Sequence, residues 1–203
     1  MRPCFVLIAL LLLGSIQAAI LGAAEQISSS QSGNQPDLIE NVSERFIPSG
    51  WMGDYNDLSI NTYCRDNPHS EPYCTEILYT AARSSNAGWA GIYWQHPENN
   101  WGTMAGWIDV FSGAKKLTFW ARGKNGTEKA EFKMGGIAGE YSDSVRPAIT
   151  TGPIVLSSNW AQYEIDLRGK NLSQVIGGFC WVTNAESNPY GCTIYLDDIR
   201  YEW

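Results

Sequence analysis

Beyond residue 45 the chain alternates apolar and polar side chains with a period of two. No stretch keeps a helical period for more than two turns. In 116–122, Leu117, Phe119 and Ala121 share one side, and Thr118, Trp120 and Arg122 share the other. In 128–134, Ala130, Phe132 and Met134 oppose Lys129, Glu131 and Lys133. Residues 88–95 set Ala90, Ile92 and Trp94 against Trp89, Tyr93 and Gln95. In 162–167, Tyr163, Ile165 and Leu167 alternate with Gln162, Glu164 and Asp166. Residues 175–182 are almost wholly apolar, as expected of a central strand buried on both faces. A last strand is expected at 193–201, with shorter ones at 75–81, 107–111 and 154–156. Lys124-Asn-Gly-Thr127 reads as a hairpin turn between two of these strands. Many short strands joined by Gly, Pro, Asn and Ser predict an all-β fold, an antiparallel β-sandwich of jelly-roll order.

The first 24 residues follow a different pattern. Arg2 precedes an apolar run over 4–13, and small residues follow at Gly22, Ala23 and Ala24. This is the layout of a secretory signal peptide, with cleavage expected after Ala24 or, second, after Ala18. An uncleaved N-terminal anchor is the alternative. Residues 25–45 are rich in Ser, Gln and Asn and read as a flexible linker, which leaves 46–203 as one domain. No second apolar stretch is long enough to span a bilayer. Export to the cell surface, periplasm or medium implies an oxidising compartment. Four cysteines lie beyond the leader, and they allow three pairings. Short Pro-containing loops favour Cys64–Cys74 and Cys180–Cys192; four buried free thiols are the alternative.

Charge narrows the function. Only 17% of the 203 residues are charged, against an average of about 25%, and the net charge is −7. An acidic chain without a basic cluster argues against nucleic acid as a partner. Nine tryptophans, all beyond residue 50, offer flat apolar rings in quantity. Such rings stack on the weakly apolar faces of sugars, while Arg, Glu, Gln and Asn bond the hydroxyls.

Three segments carry a resemblance. They are Ser112-Gly-Ala-Lys-Lys-Leu-Thr-Phe-Trp-Ala-Arg-Gly123, Trp160-Ala-Gln-Tyr-Glu-Ile-Asp-Leu167 and the final Tyr195-Leu-Asp-Asp-Ile-Arg-Tyr201. In order and spacing they resemble carbohydrate-binding modules of the galactose-binding-like, jelly-roll class. The likeness covers 112–203 well and 46–111 loosely. It implies a secreted, non-catalytic protein that binds a poly- or oligosaccharide, alone or beside a separate glycan-active enzyme. It also implies a structural calcium near the last strand. Asp198 is the expected ligand, with Asp54, Asn56 and Asp57 as oxygen-rich company.

Parity suggests that Tyr93, Gln95, Trp120, Arg122 and Glu131 share one concave sheet face as the glycan site. The polar segment 95–102, with His96, Glu98, Asn99, Asn100 and Trp101, offers an edge subsite. The competing interpretation makes Trp120 and Trp89 core residues, Arg122–Glu131 an ordinary cross-strand pair, and Trp101 a turn residue packed on the sheet. Trp94 and Trp160 are expected in the core.

Enzymatic readings find less support. There are two histidines, no Gly-x-Ser-x-Gly elbow, no His-Glu-x-x-His and no Gly-rich phosphate loop. Glu131 and Glu164 remain a conceivable glycosidase pair, and Tyr93, Gln95, His96 and Arg122 a conceivable lyase set. A cell-envelope sandwich that binds protein is the other alternative.

Overall fold

The computed structural model describes residues 38–203. The expected signal peptide and most of the expected linker lie outside them. The elements in chain order are β1 (Ile39–Asn41), a single helical turn α1 (Val42–Arg45), β2 (Ile47–Gly53), a 3-10 turn (Tyr55–Asp57), β3 (Leu58–Cys64), β4 (Cys74–Tyr79), β5 (Trp89–Gln95) and β6 (Trp107–Ile108). They continue with β7 (Lys116–Gly123), β8 (Lys129–Met134), β9 (Ile149–Val155), β10 (Ala161–Asp166), β11 (Gln174–Val175), β12 (Gly177–Asn184) and β13 (Cys192–Glu202).

Two antiparallel sheets face each other. One runs β10-β7-β13-β4-β3, with β1 added on β13; the other runs β2-β5-β12-β8-β9. We call them sheet A and sheet B. A small ribbon pairs β6 with β11. Among the described residues no helix is long and apolar enough to cross a membrane.

The predicted alternation sets the core. Leu117, Phe119 and Ala121 of β7 are fully buried, as are Phe132 and Met134 of β8 and Ile92 of β5. Phe119 meets Phe132 at 4.5 Å and Phe179 at 5.2 Å between ring centroids, which joins the sheets at their middle. Each such side chain contributes about 1.5–3 kcal/mol by leaving water. Trp94 is in this core, as expected. Trp160 is not: it packs on the other side of sheet A with Cys64, Cys74 and Tyr195.

Three expectations change. First, the fold starts earlier than residue 46. β1 pairs with β13, and Val42 is fully buried, so residues 39–45 belong to the domain. Their few apolar positions sit in a polar context, which hid them. Second, the turn at 124–127 is not a hairpin. β7 lies in sheet A and β8 in sheet B, so this turn crosses between the layers. The buried carboxylate of Glu128 accepts the N–H groups of Asn125, Gly126 and Thr127, and these bonds close the turn. Third, the four cysteines are free thiols. Cys180 is on the outer side of β12 with Tyr93 and Ile137, whereas Cys192 belongs to the central core. A disulfide needs Cα atoms within about 7 Å, and these two residues lie on different layers. Cys64 and Cys74 are register partners on β3 and β4, and no bond joins their sulfurs.

Candidate functional site

Because β7 crosses to the other sheet, the expected single face divides in two. Trp120 and Arg122 point outward from sheet A; Tyr93, Gln95 and Glu131 point outward from sheet B. Arg122 and Glu131 therefore form no pair. Glu164, on β10 of sheet A, is likewise on the opposite side from Glu131, and Arg122 from Tyr93 and Gln95. Neither the glycosidase pair nor the lyase set is assembled.

The outer face of sheet A is paved by residues 65–73, the β3–β4 connection. His69 stacks on Trp120 with 3.8 Å between centroids and 17° between planes. The Arg122 guanidinium lies 3.6 Å from the Tyr195 ring centroid and 5.3 Å from that of Trp160. Its Nη2 donates to the Asp66 carbonyl at 2.6 Å. Trp160 Nε1 donates to the Asn67 carbonyl at 2.8 Å. A hydrogen bond from Tyr195, with Arg122 beside it, outweighs desolvation and holds the Asp66 carboxyl below its ordinary value. Arg122 is thus 7% exposed and serves the loop, not a ligand.

Asp198 belongs to the same pavement. It accepts from Ser70 Oγ, pairs with His69 Nδ1 at 2.8 Å, and accepts from Arg200 Nη2. Calcium wants six to eight oxygen ligands. Donors, one of them a guanidinium, occupy Asp198 instead, so its surroundings do not fit a cation. Asp54 and Asp57 are similarly engaged: Asp54 accepts from Ser85, Ala87 and Gly88, and Asp57 from Arg83 and Ser84. Among the described residues no group of three or more His, Cys, Asp or Glu could hold a metal ion.

Sheet B differs along its length. Three outward rows cross it. One contains Gly50, Tyr93, Cys180, Lys133 and Thr150; the next Met52, Gly91, Val182, Glu131 and Pro153. The third includes Trp89 opposite Asn184, and Lys129 opposite Val155. Residues 135–145 cover the Tyr93 end. Tyr93 is 8% exposed, donates to the Gly135 carbonyl, and packs with Ile137, Ile176 and Cys180. Burial drives its phenol pKa far above the ordinary range. The Asp143 carboxylate pins this cover by accepting from Ile137, Ile176 and Gly177.

Gln95 is fully buried. It bonds Ser49 and the Asn100 carbonyl. Asn100 is buried too, and its side chain accepts from Gly102, Thr103 and Met104 while donating to the His96 and Met104 carbonyls. These bonds shape the loop that presents Trp101, 42% exposed and edge-on to Tyr93 at 6.1 Å. Tyr93 and Gln95 therefore support Trp101 from below and do not reach solvent themselves. His96 stacks on Trp107, and burial lowers its pKa.

The other end of sheet B is open. A trough of about 330 Å³ runs over Trp89, Val182, Thr183, Asn184, Ser187, Lys129, Glu131, Lys133 and Pro153. From β5 to β9 it crosses three strand spacings, roughly 14 Å. Val182 lies on its floor, and the Val182 and Met52 side chains pack over Gly91. A Cβ there would sit 2.5 Å from Val182 Cγ1 and 2.8 Å from the Trp181 carbonyl. Trp89, 40% exposed, forms one wall. Its ring rests on Gly53, where φ is +63° and a Cβ would meet the Trp89 carbonyl at 2.3 Å. Asp54 holds the approach to Trp89 through Gly88. Burial raises the Asp54 pKa, but three backbone N–H bonds and Arg83 pull it below its ordinary value. Opposite, Glu131 accepts from Thr150 and pairs with Lys133 at 3.3 Å.

Of the six expected ligand contacts, then, Glu131 lines the trough, Trp101 lines a separate surface, and Tyr93, Gln95, Trp120 and Arg122 are covered. Trp89, outward-facing by parity, also lines the trough.

The fold is that of the jelly-roll carbohydrate-binding modules. A family 30 module of a cellulosomal cellulase of Clostridium thermocellum superposes with a TM-score of 0.52 at 14% identity, over 81% of this chain and 96% of that one. A family 11 module from the same organism, solved with a β-1,3-1,4-mixed-linked tetrasaccharide, gives 0.52 at 12% identity, over 81% and 94%. No protein-family model and no curated protein matches the chain.

Proposed function

We propose that this is a secreted, non-catalytic protein that binds a polysaccharide or oligosaccharide in the open trough of sheet B. The observation that carries the reading is the trough itself: an exposed Trp89 ring, an apolar floor at Val182, and a rim of planar or charged groups. A pyranose stacked on Trp89 would leave its hydroxyls facing Asn184, Lys129, Glu131 and Lys133. The aromatic ring supplies contact area at little entropic cost, and the rim supplies direction. Solved modules of this fold lend support, one of them with a β-1,3-1,4-mixed-linked tetrasaccharide bound. Secretion rests on the leader pattern of residues 1–24. A separate glycan-active enzyme is a fitting partner for a protein that holds a glycan without cleaving it.

The test is affinity electrophoresis in gels containing mixed-linkage β-glucan, hydroxyethylcellulose, xylan or galactan. Retardation in at least one gel, without release of reducing ends, is the expected result. Migration unchanged in every gel would refute binding, and reducing-end release would refute the non-catalytic part.

A further inference from the structure

A second aromatic surface lies apart from the trough. It is lined by Ser49, Trp51, Tyr55, Asn56, Leu58, Asn99 and Trp101 and has a volume of about 560 Å³. β2 and β3 are the edge strands of their respective sheets, and this surface forms where those edges meet. Trp51, Tyr55 and Trp101 are 37%, 49% and 42% exposed. Three large, partly exposed rings lining one open surface forgo burial that would stabilise the fold, and such patches mark binding surfaces.

The rings are held from beneath. Tyr55 begins the short turn that ends at Asp57; Asp57 and the preceding Asp54 are buried and bond five backbone N–H groups of residues 83–88. Trp101 follows the buried Asn100, whose side chain closes its loop. Asn99 N donates to Ser49 Oγ at 2.9 Å, which ties that loop to β2. Preorganised rings lose little freedom on binding.

No charged residue lines this surface, in a chain whose net charge is −7. Two exposed carboxamides, Asn56 and Asn99, supply the directional polar groups. An anion would find no cation here, and a cation no carboxylate in the lining. Flat rings with neutral amides suit the faces and hydroxyls of uncharged pyranoses.

We propose that Trp51, Tyr55 and Trp101 form a second glycan site, so that one chain holds two strands of a neutral polysaccharide and cross-links them. This rests on the preceding reading only for the class of ligand; the residues are independent of the trough.

The probe is whichever of the four soluble polysaccharides retards the native protein. Variants are Trp89→Ala, Trp101→Ala, the pair Trp51→Ala/Tyr55→Ala, and Trp89→Ala/Trp101→Ala. Since the edge rings are exposed, their variants should melt near the native temperature, and two independent edge variants guard against a misfolded one. Each single-site variant should remain retarded, with affinity reduced about tenfold or more. The Trp89→Ala/Trp101→Ala protein should run as in a blank gel. Native protein should raise the viscosity of the polysaccharide solution, and every single-site variant should fail to do so. Native-like retardation and viscosity for both edge variants would overturn the second site while leaving the trough intact. Native-like retardation of Trp89→Ala, with loss in the edge variants, would remove the trough and keep the edge site as a binding surface, but would end the cross-linking claim. A native protein unretarded in all gels overturns both.

Discussion

The outer faces of the two sheets begin with similar equipment and end differently. Sheet A presents Trp120, Arg122, Trp160 and Tyr195, a set that looks made for a sugar. Residues 65–73 occupy it: His69 takes the stacking position on Trp120, and Asp66 takes the guanidinium. Sheet B presents Trp89, Val182 and Glu131, a plainer set, and these line an open trough. The lesson is that an outward-facing side chain is not thereby an available one. A connection of nine residues can fill the very contacts that a ligand would use.

Altering the covers and the open floor should sharpen this contrast. The largest effect is expected at Asp143, which pins the cover over the Tyr93 end. Burial pushes its pKa from the ordinary 3.8 up to about 6, against the pull of the Ile176, Ile137 and Gly177 N–H groups. The folded state therefore holds this proton more tightly than the unfolded state. The stabilisation is full below about pH 4 and is lost as pH rises through about 6. Asp143→Asn removes the titration. The stability advantage of native protein over this variant should shrink by on the order of 2–3 kcal/mol between pH 4 and pH 7, measured by urea unfolding. A difference independent of pH would contradict the assignment.

Arg122→Ala comes next. It removes the group clasped between Tyr195 and Trp160 and frees the loop over sheet A. A loss of about 2 kcal/mol in unfolding free energy is expected, with polysaccharide binding as in the native protein. Weaker binding at native stability would return Arg122 to a ligand role. Gly91→Ala presses instead on Val182, in the trough of sheet B. Contacts at 2.5 and 2.8 Å force Val182 or the backbone to move, at a cost of about 1–2 kcal/mol. Binding should fall with it, since Val182 is displaced within the trough lining; isothermal titration would show this. The smallest effect belongs to Glu131→Gln, which should leave the melting temperature almost unchanged and weaken binding about fivefold, the loss of one hydrogen bond.

Much of the fold was legible because alternation reports burial. Phe119, Phe132, Ile92 and Trp94 were assigned inward from parity alone and are buried. β2 and β3 were missed: both are edge strands, Pro48, Gly50 and Gly53 interrupt the first, and in the second the alternation of Leu58 and Ile60 stops at Asn61-Thr62-Tyr63. The site was less legible. Grouping Trp120 and Arg122 with Glu131 assumed that a turn signal joins neighbours within a sheet. Nothing in Lys124-Asn-Gly-Thr127 distinguishes a hairpin from a crossover; the bonds that close this turn come from the buried Glu128 that follows it. Gln95 and Asn100 were read as sugar contacts because amides bond hydroxyls, yet the same amides bond backbone, and here they do. Periodicity cannot say which partner an amide finds.

The account's central claim is that Trp89 meets the ligand and Trp120 meets the protein. The direct measurement sets Trp89→Ala beside Trp120→Ala, comparing polysaccharide affinity and melting temperature in both. Trp89→Ala should lose about tenfold or more in affinity with little change in melting, while Trp120→Ala should keep native affinity and melt lower. Native affinity in Trp89→Ala together with lost affinity in Trp120→Ala would contradict the account and move the site to sheet A.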